Sequence, residues 1–362
     1  MEQSDTLACE LHSQSRISVT PKTEDITARR TLRLGILFCL IATTLYSFST
    51  VCFKELLAIG QDYRWILFMK ELTCVMCITP VIIYWVIRRR YHWPALKWII
   101  IILIGGFLCE YIGARLHFWA VGMIGLIVTI PLIQTANLTS SAGIGRVFLG
   151  ERIGIYCRTA MIVMLVAMCC LVFGTGNGNN DKTEKPADTP VAEVQANTSF
   201  PIVGDSFLLC GIGAVVAGIA YAIYIVLLRY TSKSRQMPIT LIAVQVTGIG
   251  AVIFGIEFFR AHEYQLAAFW ENIPPRAWLL TLMTGLFNMV GFLFQINGLR
   301  YTVVARAQMI SVAQICVCTL FGVFVFRENT NLMIWLGVAL TVLGIYIVST
   351  PDTRELSSEH EA

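Results

Sequence analysis

The hydropathy of this chain repeats, with two stretches that start 177 residues apart following one pattern. The first stretch covers residues 98–151 and the second covers residues 275–328, and they align without a gap. Each contains an apolar span, a short break, a second apolar span and a closing glutamate, Glu151 or Glu328. In a membrane chain, such internal symmetry is typical of folds built from two related halves around a central site.

The composition indicates a membrane protein. Hydrophobic residues make up 56% of the chain and charged residues only 14%, whereas soluble domains are about 25% charged. The mean hydropathy is +0.69. An apolar stretch of about 20 residues crosses a bilayer as a helix, so the sequence predicts an all-α fold with ten transmembrane helices. The candidate spans are residues 34–58, 65–87, 96–117, 124–147, 154–174, 203–228, 238–259, 277–299, 303–326 and 331–349.

Two other interpretations of the apolar spans fit less well. Residues 98–108 and 161–173 are continuously apolar, unlike the alternating segments of about ten residues in a transmembrane barrel. The first span is preceded by the polar residues 1–33 and is long for a signal peptide. We therefore expect it to remain in the mature protein as a membrane helix.

One long polar insertion divides the chain. Residues 174–199 are rich in Gly, Asn, Asp and Pro and nearly devoid of large apolar residues, which favours a flexible linker. The predicted organisation is a cytoplasmic tail (1–33), a first five-helix repeat (34–174), an extracytoplasmic linker (175–202), a second five-helix repeat (203–350) and a second cytoplasmic tail (351–362).

The distribution of Lys and Arg predicts the orientation, because cytoplasmic loops of membrane proteins are enriched in these residues. With the N-terminus inside, most of them fall on inner segments, and both termini are predicted to be cytoplasmic in a plasma (inner) membrane. Arg300 and Arg306 are assigned to the outer side, whereas Glu151 and Glu328 are assigned to inner ends of spans. The net charge of +4 largely reflects this bias and requires no nucleic-acid partner.

The order and spacing of several short motifs resemble the drug/metabolite transporter superfamily, specifically its EamA-type domain present twice. In the first half the resemblance is carried by Ala120, Pro131 and the phrase Leu149-Gly150-Glu151-Arg152. In the second half it is carried by Glu328, in Phe326-Arg327-Glu328. The second half departs from the pattern, since Asn297 replaces the Ala, Gln308 the Pro and Arg327 the Gly.

This resemblance implies two inverted five-helix repeats, a cavity open to one side at a time, and secondary transport of a small metabolite, often efflux. Amino acids or related compounds are the expected substrates, with a proton as the coupling ion. An exporter of organic cations or drugs with the same fold is an alternative.

An enzyme is not expected. A membrane-embedded transferase would want clustered His or Asp, and the five His of this chain are scattered. No phosphate-binding GxxxxGK[ST] motif occurs, and the CxxC pair Cys74 and Cys77 has no second pair, so neither ATP nor a metal or other cofactor is expected.

Polar residues inside the spans are the candidate substrate ligands. Gln134, Asn137 and Ser141 share one face of the fourth span, and a shift of 177 residues leads to Ser311, Gln314 and Cys318 in the ninth. Asn288 and Gln295 share a face of the eighth span. Side-chain amides can hold a polar substrate without burying a charge. The alternative is that they only hydrogen-bond neighbouring helices together.

Ionisable residues inside the spans are the candidate coupling or gating groups, because a charge at membrane depth is costly. Glu71 is such a group unless it only pairs with Lys54 or Lys70. Glu110 and His117, seven residues apart, are predicted to share a helix face. Arg306 can clamp a substrate carboxylate or, as the plainer interpretation, reach lipid headgroups. Glu151 and Glu328 are predicted to act at a gate or in helix packing.

Overall fold

The computed structural model describes residues 21–88, 93–124, 126–150, 154–176, 206–234, 237–262, 269–270, 273–324 and 332–349. Within these ranges the chain is almost entirely helical and contains no β-strand. An α-helix satisfies most of its backbone hydrogen-bonding groups within its own segment, as a lipid environment requires.

The helices follow one another with short connections. In chain order they are α1 (Pro21–Ala58), α2 (Tyr63–Ile87), α3 (Leu96–Phe107), a π-helical segment (Leu108–Ala114), α4 (Arg115–Ile124), α5 (Leu126–Phe148), α6 (Ile155–Gly176), α7 (Ser206–Lys233), α8 (Ile239–Ala261), α9 (Pro275–Tyr301), α10 (Val304–Phe324) and α11 (Leu332–Ser349).

Six stretches of the described chain are long and apolar enough to cross a membrane. They are Arg30–Ala58, Tyr63–Ile87, Leu96–His117, Leu209–Lys233, Ile239–Ala261 and Pro275–Tyr301. Three shorter apolar helices, Ile155–Cys170, Val304–Cys318 and Leu332–Val348, add to these. The fourth predicted span coincides with α5, which is interrupted by Thr, Ser and amide side chains. The multi-pass helical fold is confirmed, and the count of ten spans stays a prediction.

A π-helical segment separates α3 from α4. In such a segment the hydrogen bonds reach five residues back, so the regular spacing of 3.6 residues per turn is lost. Glu110 lies inside this segment and is buried, while His117 lies beyond it in α4. The α-helical periodicity that predicted one shared face therefore does not extend from Glu110 to His117.

The contacts between helices pair one half of the chain with the other. The helix α1 packs along α9, and α7 packs along the continuous helix formed by α3, the π-helical segment and α4. Likewise α1 contacts α10, and α5 contacts α7. The pairs α2 with α8 and α6 with α11 join equivalent helices of the two halves. This pattern is the one that a two-fold exchange of the halves would produce.

The last turn of α9 and the first turn of α10 lie at the end of the bundle opposite to the one predicted. Gly35 at the start of the first span lies against Tyr301, and Arg300 Nη2 donates to the Met237 carbonyl, 3.3 Å away, in the α7–α8 turn. Both neighbours belong to the end of the bundle predicted to be cytoplasmic. The outer assignment of Arg300 and Arg306 is therefore wrong, because successive helices alternate in direction and α9 ends where α1 starts.

Candidate functional site

A buried ion pair lies on α2. Lys70 Nζ is 2.8 Å from Glu71 Oε1, and the Glu71 side chain is only 3% exposed, against 21% for Lys70. Trp65, Ile66 and Leu67 on the preceding turn are buried as well, so α2 enters the bundle interior at this level. The structure thus brings together Glu71 and one of the two lysines that the sequence offered as partners.

A second buried carboxylate, that of Glu110, lies with Glu71 against Gly250 of α8. A β-carbon added at Gly250 would be 2.9 Å from Glu71 Cγ and 3.2 Å from Glu110 Oε2. Glu110 Oε1 also accepts a hydrogen bond from the Cys109 thiol, at 3.6 Å. Glycine at position 250 therefore leaves the room in which the two carboxylates approach one helix backbone.

The charges of this cluster do not balance. Among the described residues, the Lys70 ammonium forms an ion pair with Glu71, whereas the neighbouring Glu110 forms none. Burying an unpaired charge costs several kcal/mol or more, so a proton or a cationic ligand would stabilise the cluster. In the described part of the chain no group of three or more His, Cys, Asp and Glu is arranged to hold a metal ion.

Three tyrosines adjoin the cluster. His117 Nδ1 is 3.4 Å from the hydroxyl of Tyr221, whose ring lies against Gly113 of the π-helical segment. Tyr46 and Tyr224 also lie close enough to Glu71 and Glu110 for electrostatic interaction. His117, Tyr46 and Tyr221 are each half-buried.

Polar side chains of α1 join it to two helices of the other half. Tyr46 donates to Gln295 Oε1 of α9 at 2.8 Å, and Gln314 Nε2 of α10 donates to Thr50 Oγ1 at 3.0 Å. Thr50 in turn donates to the Tyr46 carbonyl one turn earlier, at 2.9 Å. The predicted candidates Gln295 and Gln314 are therefore brought together around one face of α1.

A second amide bridge joins α5 to α10. Asn137 Nδ2 donates to Gln308 Oε1 at 3.1 Å, and the two residues are 7% and 3% exposed. The Asn137 Oδ1 atom is buried and has no hydrogen-bond partner among the described residues. In the sequence, Gln308 stands out only as the residue that replaces a family proline. Its signal is a polar side chain within the buried residues 304–310.

Among the described residues, the other amide and hydroxyl candidates form no hydrogen bond between helices. Ser141 donates to the Leu138 carbonyl and Ser311 to the Ala307 carbonyl, both at 3.1 Å, so these hydroxyls bond their own helices. Gln134 and Asn288 are half-buried. Glu151 and Glu328 lie outside the described residues.

Two buried arginines lie near the end predicted to be cytoplasmic. Arg306 is fully buried, so the plainer interpretation of a side chain reaching lipid headgroups is wrong, because the first turns of α10 are enclosed by other helices. Arg229 of α7 is 2% exposed and donates to the Leu299 carbonyl in the last turn of α9. Sequence reasoning counted Arg229 only as an inner charge.

The opposite end of the bundle is joined by ion pairs. Arg276 Nη2 of α9 is 2.6 Å from Glu55 Oε1 of α1, and Arg115 Nη1 of α4 is 2.8 Å from Glu257 Oε1 of α8. His262 Nε2 lies 3.5 Å from Asp62 Oδ2. An aromatic cluster packs beside the His262 pair and includes Trp65, Phe258, Phe269, Trp270 and Trp278.

The fold and its buried polar core define a multi-pass α-helical membrane protein. Residues 208–350, in the second half of the chain, match the model of the EamA-like transporter family. The resemblance to the drug/metabolite transporter superfamily is thereby confirmed.

Two further proteins are similar to this chain, one in sequence and one in fold. An uncharacterized transporter in the cobO 3' region of Sinorhizobium sp. is 32% identical over 79 residues, which is 22% of this chain and 56% of that protein. This chain thus spans about half the length of the curated relative it matches. A solved structure described only as "Crystal structure of protein" is similar in fold, with a TM-score of 0.60 at 15% identity. That alignment covers 91% of this chain and 99% of the other. The family and the relative point to a transporter rather than an enzyme.

Proposed function

We propose that this protein is a secondary active transporter that moves a small polar metabolite, an amino acid or a related compound, by alternating access. Two inverted five-helix halves would expose a central site to each side in turn, with both termini in the cytoplasm of the plasma (inner) membrane and export as the direction. The EamA-like domain and the exchange symmetry of the helix contacts support this proposal.

The observation that carries the proposal is the cluster of Lys70, Glu71 and Glu110 around Gly250. A transporter that couples to protons needs a buried group whose charge can change during the cycle. Glu71 already has the Lys70 ammonium at 2.8 Å, so Glu110 is the carboxylate left to take up a proton. Protonation would leave the cluster neutral while the halves rearrange, and substrate binding would favour proton release.

The hydrogen bonds that join α1 to α9 and α10 suggest how substrate binding changes the contacts between the helices. Tyr46 and Thr50 each use one hydrogen bond to hold a helix of the opposite half. A polar substrate that competes for Gln295 or Gln314 would weaken these bonds and favour movement of α1 relative to α9 and α10. Such differential contacts are what shifts a two-state equilibrium.

The test is transport into proteoliposomes with and without a pH gradient. Amino acid accumulation by the unaltered protein should follow the gradient, and Glu110→Gln should abolish accumulation while retaining exchange between equal internal and external pools. Glu257→Gln is the matched control, since Glu257 pairs with Arg115 far along α8 from Gly250, and it should keep gradient dependence. Equal uptake by the unaltered protein with and without the gradient would remove the coupling proposal.

An organic-cation exporter with the same fold is the second candidate. The excess of one carboxylate over Lys70, with Tyr46, Tyr221 and Tyr224 nearby, favours a cationic ligand, because aromatic faces and carboxylates both attract cations. Competition between a labelled amino acid and tetraphenylphosphonium in the same vesicles distinguishes the candidates. Efflux of the cation without amino acid transport would support the second.

A further inference from the structure

We infer that Asn137 and Gln308 together form a substrate subsite that accepts an N–H donor from the ligand, as an ammonium or a primary amide would supply. This inference rests on the proposed function and deepens it by naming the chemistry that the site recognises. It also adds Gln308 to the residues that determine specificity.

A count of hydrogen bonds shows what the pair still lacks. An asparagine amide offers two N–H donors and a carbonyl with two lone pairs. Asn137 Nδ2 uses one donor on Gln308 Oε1 at 3.1 Å, whereas the buried Asn137 Oδ1 accepts nothing from the described residues. Of the two polar atoms of the Asn137 amide, the one without any such partner is therefore the acceptor Oδ1, and its complement is a donor on a ligand.

A purely structural role does not account for this arrangement. Buried polar groups in native proteins are nearly always hydrogen-bonded, and a half-satisfied polar pair is worse for stability than an apolar pair of the same shape. If the pair served only to hold α5 against α10, two apolar side chains would do so at lower cost. Asn137 is only 7% exposed, and the amide of Gln308 fixes its orientation. A preorganised binding site requires an acceptor that is held in place in this way.

The position in the fold fits a substrate site. The helices α5 and α10 correspond to one another in the 177-residue repeat and contact each other directly. A contact between equivalent helices lies where the two halves meet, which is where substrate sites of duplicated transporters are found. The repeat equivalent of Gln308 is Pro131, which has no side-chain amide. The amide bridge therefore exists on one side only, and it can orient an asymmetric ligand.

The experiment measures thermal stabilisation of the purified protein in detergent by four matched probes. Leucine and leucine amide carry N–H donors, N,N,N-trimethyl-leucine keeps the positive charge without any N–H, and 4-methylpentanoate lacks the nitrogen. Leucine and leucine amide should raise the unfolding midpoint, and the other two should not. Stabilisation by the trimethyl derivative equal to that by leucine, or by none of the four at millimolar concentration, would overturn the inference.

Variants assign the effect to this pair. Gln308→Leu and Asn137→Leu should each weaken apparent leucine affinity about tenfold or more, the effect of one hydrogen bond to a charged group. Gln308→Glu keeps an acceptor for Asn137 Nδ2 and should retain more affinity than Gln308→Leu. Thr139→Ala on α5 is the control, because Thr139 is exposed and its hydroxyl bonds the Thr135 carbonyl, and this variant should bind leucine normally. If Asn137→Leu fails to fold, the two Gln308 variants decide.

The two proposals fail in different ways. Binding that requires an N–H donor and Gln308, without transport in vesicles, would uphold the subsite and remove the transporter function. Leucine transport that Gln308→Leu leaves unchanged would uphold the transporter and remove the subsite.

Discussion

Glu71 of α2 and Glu110 of the π-helical segment lie against one backbone position of α8, Gly250, although they are far apart in sequence. Both are buried, and Lys70 is the ammonium that pairs with Glu71. The size of residue 250 therefore sets the space that both carboxylates occupy. The function of the cluster can be tested through this glycine without changing any charge.

Substitution Gly250→Ala should impair transport strongly. The added methyl would meet Glu71 Cγ at 2.9 Å and Glu110 Oε2 at 3.2 Å, and such overpacking costs about 1–3 kcal/mol. The matched control is Gly248→Ala on the same helix, where an added β-carbon has no neighbour within 4 Å. Vesicle transport and unfolding midpoints check both variants, and equal activity would show that the carboxylates do not need this space.

The two carboxylates should show strong coupling in a double-mutant cycle. In Glu71→Gln or Glu110→Gln alone, Lys70 keeps one negative partner. The double variant leaves the partly buried ammonium of Lys70 without either carboxylate. Breaking a fully buried pair in this way costs about 3–5 kcal/mol, which is the upper limit here. The loss of unfolding free energy in the double variant should therefore exceed the sum of the single losses. Additive losses would mean that Glu110 does not interact with Lys70.

Asp62 should have two separable roles at the start of α2. Its Oδ1 accepts the Arg64 backbone N–H at 2.7 Å as a helix cap, and its Oδ2 faces His262 at 3.5 Å. Loss of such a cap costs about 1 kcal/mol. Asp62→Asn keeps the capping oxygen and should lose little stability, whereas Asp62→Ala should lose about that amount. Equal midpoints for the two variants in thermal unfolding would contradict the capping role.

Substitution of Arg229 should destabilise the protein more than substitution of Arg88. It is buried and donates to the Leu299 carbonyl, so Arg229→Ala leaves that carbonyl without this donor and creates a cavity, at about 2–4 kcal/mol. The comparison is Arg88→Ala, since Arg88 is exposed and stacks on Tyr84. We expect less than about 1 kcal/mol there. Similar losses in denaturant unfolding would refute the difference.

The site residues could be predicted in part, because their signal is a polar group where an apolar one is expected. Glu71, Glu110, Asn137, Gln295 and Gln314 were found in this way, and the structure gives each a contact in the core. The hydrogen-bond partners of these residues could not be predicted from the sequence. A bond such as that from Gln314 to Thr50 joins residues 264 positions apart. Only the packing of α10 against α1 sets that distance.

One prediction stays untested, and one error had a local cause. The shared face of Glu110 and His117 assumed uniform α-helical spacing, which the π-helical segment between them interrupts, so it stays a prediction. The headgroup contact of Arg306 assumed that a charge near a helix end lies at the bilayer surface. Its burial depends on which helices surround the start of α10, and no pattern within residues 304–310 encodes that.

By itself the sequence determined that this chain is a helical membrane protein with a repeated hydropathy, because transfer of about 20 apolar side chains into lipid is a property of each segment alone. It also determined the family resemblance, through short motifs in a fixed order. Tertiary structure alone decided that Glu71 and Glu110 meet at Gly250 and that Asn137 bonds Gln308. These relationships depend on how separate helices pack side by side, and packing brings together residues that no local pattern connects.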